Sequence, residues 1–201
     1  MMSKRKKLSA LDITYAAMFA ALMAVGANIA QFLPMVGGVP ITLQTFFSIL
    51  AGALLGSRLG AISMTVYMAV GLAGAPVFAK FSGGIGTLVS PTFGFILSYI
   101  LVSYVIGKMI EAKKNPGVQT FLFACFVGLF LNYFLGTNYM FYAYKLLGIA
   151  PEGFSYGMAW GWMMVPLPKD IVLTIVAAVL SPRIYRAVNK TSRGHGRRSV
   201  A

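Results

Sequence analysis

The sequence predicts an all-α integral membrane protein, a bundle of six transmembrane helices, and three observations carry that prediction. Hydrophobic residues make up 58% of the 201 positions and charged residues only 10%, whereas a soluble domain is about a quarter charged and roughly half apolar. Apolar runs then follow one another from Asp12 to Tyr185. A spanning helix takes about 20 such residues, because lipid leaves backbone polar groups no partner outside the helix. Finally, the net charge of +13 is threaded between these runs. A water-soluble α/β enzyme is excluded, and so is a cytosolic nucleic-acid binder, whose basic charge would not alternate with membrane-length segments. Cys125 is the single cysteine, which excludes a disulfide scaffold.

The elements follow in order. The first span is placed at 12–33 and closed by Pro34. After the loop Pro34-Met-Val-Gly-Gly-Val-Pro40 comes a short second run at 43–55, and Gly56-Ser57-Arg58 makes a tight turn into a third at 59–72. These two runs are shorter than a perpendicular crossing needs. The Gly-rich stretch 73–91 carries no span. The fourth run, 92–110, is ended by Glu111-Ala-Lys-Lys-Asn-Pro-Gly117, and the fifth covers 118–144. A loop bearing Pro, Gly and Trp leads to the sixth at 165–188. Residues 1–189 thus form one membrane domain, and 190–201 a basic tail expected to be disordered. His195 lies in that tail, where no metal role is expected. The N-terminal Lys4-Arg5-Lys6-Lys7 precedes a run too long for a signal-peptide core, with no small-x-small cleavage site ahead of Gln31, so it introduces a retained helix.

Orientation follows from the basic residues, which collect in cytoplasmic loops near span ends. With six spans, both termini, the 2–3 turn and the 4–5 turn share a side. That side holds Lys4, Arg5, Lys6, Lys7, Arg58, Lys108, Lys113, Lys114, Arg183, Arg186, Lys190, Arg193, Arg197 and Arg198, leaving only Lys80, Lys145 and Lys169 opposite. Five or seven spans would split the basic ends across the bilayer. The expectation is a multi-pass protein of a bacterial-type plasma membrane with both termini cytoplasmic, its basic clusters also meeting anionic lipid.

Several chemistries lack their residues. There is no P-loop, no His-Glu-x-x-His, no histidine outside the tail and no intramembrane carboxylate pair. Proton-coupled transporters place chains of Asp, Glu or His within the spans, and here the only acid near the membrane plane is Asp170. Neither a cofactor nor a metal is expected. Binding remains.

The informative polar groups fall on the face away from the basic side. They are Val39-Pro-Ile-Thr-Leu-Gln-Thr-Phe46, Gly74-Ala-Pro-Val-Phe78, Phe81-Ser-Gly-Gly-Ile-Gly86, Ser90-Pro-Thr-Phe-Gly-Phe95, Asn132-Tyr-Phe-Leu-Gly-Thr-Asn-Tyr139 with Tyr142, and Trp162 with Pro166-Leu-Pro-Lys-Asp170. An apolar pocket with a few converging polar groups is the usual ligand site. The Gly and Pro residues would equally shape exterior loops, and the Asn and Tyr residues an aromatic belt. Asp170, just inside a span, fits that plainer reading least. On the first span, Ala16, Ala20 and Ala24 repeat every four residues, thickened by Ala17, Ala21 and Ala10. Small residues let helices approach closely in lipid, which suits packing within the chain or docking on another membrane subunit.

Over 9–189 the chain resembles the BioY family, biotin-binding S components of energy-coupling factor (ECF) vitamin transporters. The resemblance rests on Val39-Pro-Ile-Thr-Leu-Gln-Thr-Phe46, Gly74-Ala-Pro-Val-Phe-Ala79, Phe81-Ser-Gly-Gly-Ile-Gly86 with Pro91-Thr-Phe-Gly94, and Tyr133-Phe-Leu-Gly-Thr137, in this order and spacing. It implies a six-helix fold with cytoplasmic ends and capture of biotin. It also implies a transmembrane T subunit docked on Ala16, Ala17, Ala20, Ala21 and Ala24, and two ABC-type ATPases that supply the energy, with no nucleic acid involved. Asp170 would accept from the ureido N–H groups, Asn138 or Gln44 would donate to the ureido carbonyl, and backbone from Ser82, Gly83 and Gly84 through Thr92 to Gly94 would hold the carboxylate. Phe81, Phe95, Tyr142 and Trp162 would wall the ring. The family often has a lysine three positions after the aspartate. Here that position is Leu173, and the lysine is the neighbour Lys169, about 100° away around a helix. An S component for thiamine or riboflavin and a stand-alone secondary transporter or facilitator stay open. A membrane enzyme would need a nucleophile or metal site that the sequence does not offer.

Overall fold

The computed structural model describes residues 8–29 and 38–198, with side chains described as far as 186. The N-terminal lysines, most of the 34–40 loop and the His195 side chain lie outside the described residues. The chain is helical: α1 (Ala10–Asn28), α2 (Gln44–Leu72), α3 (Phe93–Glu111), α4 (Val118–Leu146), α5 (Tyr156–Met163) and α6 (Leu167–Arg198), with two 3₁₀ turns at Ala79–Phe81 and Ile85–Val89.

α1 opens on a capping box. The Ser9 hydroxyl accepts from the Asp12 N–H at 3.1 Å, and the Asp12 carboxylate accepts from the Ser9 N–H at 2.9 Å, which satisfies two N-terminal donors that the helix itself cannot. The helix is described as far as Asn28, and the boundary at 33 expected from hydropathy lies outside the described residues.

α2 is a hairpin rather than one long helix. Gly56 adopts φ 82°, ψ 179°, a conformation that only glycine adopts without strain. The chain doubles back there: a Cβ on Gly60 would lie 3.1 Å from the Ala51 carbonyl oxygen, and the Gln44 amide donates to the Tyr67 hydroxyl at 2.8 Å. In a continuous helix, residues 23 apart would be separated by about 35 Å. The second limb is capped from outside, since both Glu111 carboxylate oxygens accept from Ser57, one from its N–H and one from its hydroxyl, each at 2.8 Å. A carboxylate at a helix N-terminus also meets the positive end of the helix dipole. The turn predicted at Gly56-Ser57-Arg58 is therefore present.

Among the described residues, four helices are long and apolar enough to cross a membrane, and the bent pair α5–α6, at 51° to each other, makes a fifth when taken as one span. Because α2 contributes two antiparallel limbs, the bundle has six membrane limbs, as the sequence predicts. The first limb of α2 and α3 form its centre. Ile49 and Ala53 pack with Val102, Ile106, Phe121, Leu129 and Ala177 on the side of α4 and α6. Ala51 and Leu54 pack with Phe19, Met23, Met64 and Tyr67 on the side of α1 and the second limb. The limbs approach to backbone distance: a Cβ on Gly107 would stand 2.1 Å from the Ser57 nitrogen. Small residues at crossings serve this purpose in lipid, where no hydrophobic drive separates helix from solvent.

The alternation of limbs sorts the molecule into two ends. One carries the Gly56 turn, Glu111 and the Phe121–Tyr185 ring pair at 5.6 Å, and with them Arg58, Lys108, Lys113, Lys114, Arg183 and Arg186. The other carries Asn28, the 73–91 connection, α5 and the start of α6. Two features differ from expectation. α5 is a helix where the sequence suggested only a loop, and the α6 backbone stays helical to Arg198, past residue 190 where a disordered tail was expected.

Candidate ligand cavity

A cavity of about 280 Å³ opens at the end of the bundle away from the basic cluster. Its deep wall is polar and comes from four limbs. α6 supplies Asp170, 4% exposed, in its first turn. The Asp170 carboxylate accepts from the Tyr133 hydroxyl of α4 at 2.7 Å and from the Lys169 ammonium at 2.6 Å. Lys169 also donates to the Thr42 carbonyl. Neighbouring side chains leave a helix about 100° apart, yet the flexible four-carbon stem of lysine brings its nitrogen back against the adjacent carboxylate. Lys169 thus faces the cavity despite its register.

A second set adjoins the first. The Asn132 amide donates to the Thr45 hydroxyl at 3.2 Å, and its carbonyl oxygen accepts from the Ser98 hydroxyl at 2.7 Å. Asn132 is 1% exposed, and a buried amide is costly unless hydrogen-bonded. This network ties α2, α3 and α4 together beneath the cavity. Phe93, Phe95, Ile96, Tyr99, Phe78 and Met163 supply apolar and aromatic wall, and Gln44, Ser82, Thr87, Ser90 and Thr92 add polar groups to the lining.

The outer wall is the 73–91 connection. The Tyr67 hydroxyl donates to the Val77 carbonyl at 3.0 Å, and the Phe78 ring sits edge-on to Tyr67 with centroids 5.4 Å apart. Phe78 seats against Gly71, where a Cβ would come within 2.1 Å of the ring. Several backbone donors of this segment are already committed: the Ser82, Gly84, Thr87 and Ser90 N–H groups donate to the carbonyls of Ala79, Gly71, Gly84 and Thr87.

Of the residues singled out from sequence, Asp170, Lys169, Gln44, Ser82, Thr92 and Phe95 line the cavity together. The others lie elsewhere. Asn138 donates to the Phe134 carbonyl and accepts from the Tyr156 hydroxyl, outside the lining. Phe81 is 56% exposed and Tyr142 60%. Trp162 packs on Phe154 and Tyr144, with centroids 5.2 and 5.8 Å away, in an aromatic cluster that buttresses α5. Gly83 and Gly94 make close backbone approaches, to the Ala75 carbonyl and the Tyr139 ring, and Gly84 supplies a positive-φ link at 89°. Ala16 is buried within the bundle, and Ala20 and Ala24 pack partly against its core, whereas Ala17 and Ala21 face outward.

Asn132, Tyr133, Thr45 and Tyr99 were not among the singled-out ligand residues. Asn132 and Tyr133 belong to the polar run recognised in the fifth span, and a helical count from Asn138 separates them: Asn132 lies six residues away, roughly 120° around the helix, on a different face. The choice between those faces required knowing which one looks inward.

The model of the BioY family matches residues 2–190. Among similar proteins, "Putative biotin transporter BioYB" of Bacillus subtilis (strain 168) is 44% identical over 94% of both chains. "Biotin transporter BioY" of Thermotoga maritima is 35% identical, over 85% of this chain and 94% of that one. Among solved structures, a crystal structure of the S-component for biotin from an ECF-type ABC transporter superposes with a TM-score of 0.72 at 22% identity, covering 92% of this chain and 95% of that one. At that identity the likeness establishes the shared fold.

Proposed function

This chain belongs to the BioY family, and from that membership we propose that it is the substrate-binding membrane subunit of an ECF-type importer, capturing biotin for ATP-driven uptake by partner subunits. One observation carries the reading: a single buried carboxylate, held by Tyr133 and Lys169, faces a polar-floored cavity at the end of the bundle away from the basic cluster. Biotin offers two ureido N–H donors, a ureido carbonyl, an apolar thioether ring and a carboxylate tail. Asp170 is the acceptor for the ureido donors, and the Lys169 ammonium beside it suits the ureido oxygen. Asn132 and Tyr133 complete the polar end, and Phe93, Phe95 and Tyr99 take the ring.

The basic end is read as cytoplasmic, since Lys and Arg collect there, which turns the cavity mouth outward to meet external substrate. The side chains offer no nucleotide-binding loop, so energy is assigned to two ABC-type ATPases working through a T subunit docked on the outward-facing alanines of α1. Titration of biotin, thiamine and riboflavin into the purified full-length protein tests the assignment. Saturable binding of biotin alone is expected; binding of thiamine or riboflavin instead would reassign the substrate.

A further inference from the structure

Among the described residues, three charged side chains line the cavity: Lys169, Asp170 and Lys80. Lys169 and Asp170 pair with each other at 2.6 Å. Lys80 has no carboxylate partner among the described residues, so the cavity carries one uncompensated positive charge.

The backbone places Lys80 with unusual care. Residues 78–82 form a closed turn in which the Phe78 N–H donates to the Ser82 carbonyl at 3.0 Å. At its apex Lys80 and Phe81 both adopt left-handed backbone, φ 61° and 53°. Non-glycine residues seldom do so, and such conformations persist where surrounding contacts enforce them, often at ligand clamps. Two contacts enforce this one. The Phe78 ring is buried beside Tyr67 and Gly71, and the Phe81 N–H donates at 2.6 Å to the side-chain oxygen of Asn28. Asn28, 8% exposed at the end of α1, also points its amide toward the Val77 carbonyl, at 3.5 Å. The loop amides that would otherwise receive an anion are largely committed to loop carbonyls.

We propose that Lys80, held at the apex of the 78–82 turn by Asn28, is the cation that receives the carboxylate of a monoanionic ligand. The inference rests on the biotin reading above and refines it: the polar floor takes the neutral head, and Lys80 takes the charged tail at the mouth. Asn28 is then a positioning residue that acts through Lys80.

Affinities of the purified full-length protein for biotin and for biotinamide, its neutral analogue, test the proposal. The wild type is expected to prefer biotin. Lys80→Gln should lower biotin affinity roughly tenfold and leave biotinamide affinity unchanged, while Lys80→Arg keeps the preference. Asn28→Ala should shrink the same preference, whereas a purely structural role would weaken both ligands alike. Equal wild-type affinity for the two ligands, or a biotin-to-biotinamide ratio that survives Lys80→Gln, would overturn the proposal and leave the biotin reading standing. Failure of the wild type to bind either would overturn both.

Discussion

Asp170 illustrates how a single side chain becomes legible or hidden. A carboxylate in an apolar bundle is costly unless it is paired and hydrogen-bonded, and it has both a hydroxyl and an ammonium partner here. That cost is why an acid inside a span points to function, and why Asp170 could be singled out from sequence. Its partners could not. Tyr133 lies 37 residues away in the chain, and Lys169 reaches it only through a curled stem. Asp170→Asn keeps the shape of the side chain and one carbonyl acceptor but removes the charge, leaving the Lys169 ammonium without its counter-ion. Hydrogen bonds to charged groups are worth about 1.5–3 kcal/mol, so equilibrium titration should show biotin affinity reduced roughly ten- to hundredfold. An unaltered dissociation constant would remove Asp170 from the site.

At the scale of elements, the α2 hairpin decides where the cavity lies. By folding back at Gly56 it brings Gln44 opposite Tyr67 and carries the 73–91 connection to the cavity end. The sequence marked the turn through Gly56-Ser57-Arg58 but not its lock, because Glu111 lies 54 residues on. Gly56→Ala should be the more damaging change at this corner. It forces positive φ on a residue with a Cβ, which costs on the order of 1–3 kcal/mol, and it drives that Cβ to 2.3 Å from a Glu111 oxygen. Glu111→Gln retains an acceptor and loses charge, so thermal melting in detergent should fall less for it than for Gly56→Ala. The reverse order would show that the carboxylate, not the glycine, holds the corner. α5 escaped sequence analysis for a local reason. Its eight residues are too few for a span, and their aromatic cluster with Phe141, Tyr144 and Phe154 is assembled across a loop.

For the whole molecule, two predictions follow from its polarity. Cys125 is buried, so in a Cys125→Ser background a cysteine at Lys114 should react with an impermeant thiol reagent only from the cytoplasmic side, and one at Gly148 only from outside. The opposite pattern would invert the proposed orientation. Ala21 faces outward on α1, the least buried span, so Ala21→Trp should leave biotin binding intact and abolish uptake by the assembled complex; retained uptake would remove this face from partner docking. The six limbs and their two chemically distinct ends were legible in the chain itself, because hydropathy and charge are local properties that the bilayer reads segment by segment. Which face of each limb turns inward was not, since a helix apolar on all sides carries little periodic signal. Asn132 rather than Asn138 reached the cavity floor, Trp162 became a buttress, and Ala16 turned into the bundle because of contacts between separate elements, and those contacts exist only once the chain is packed.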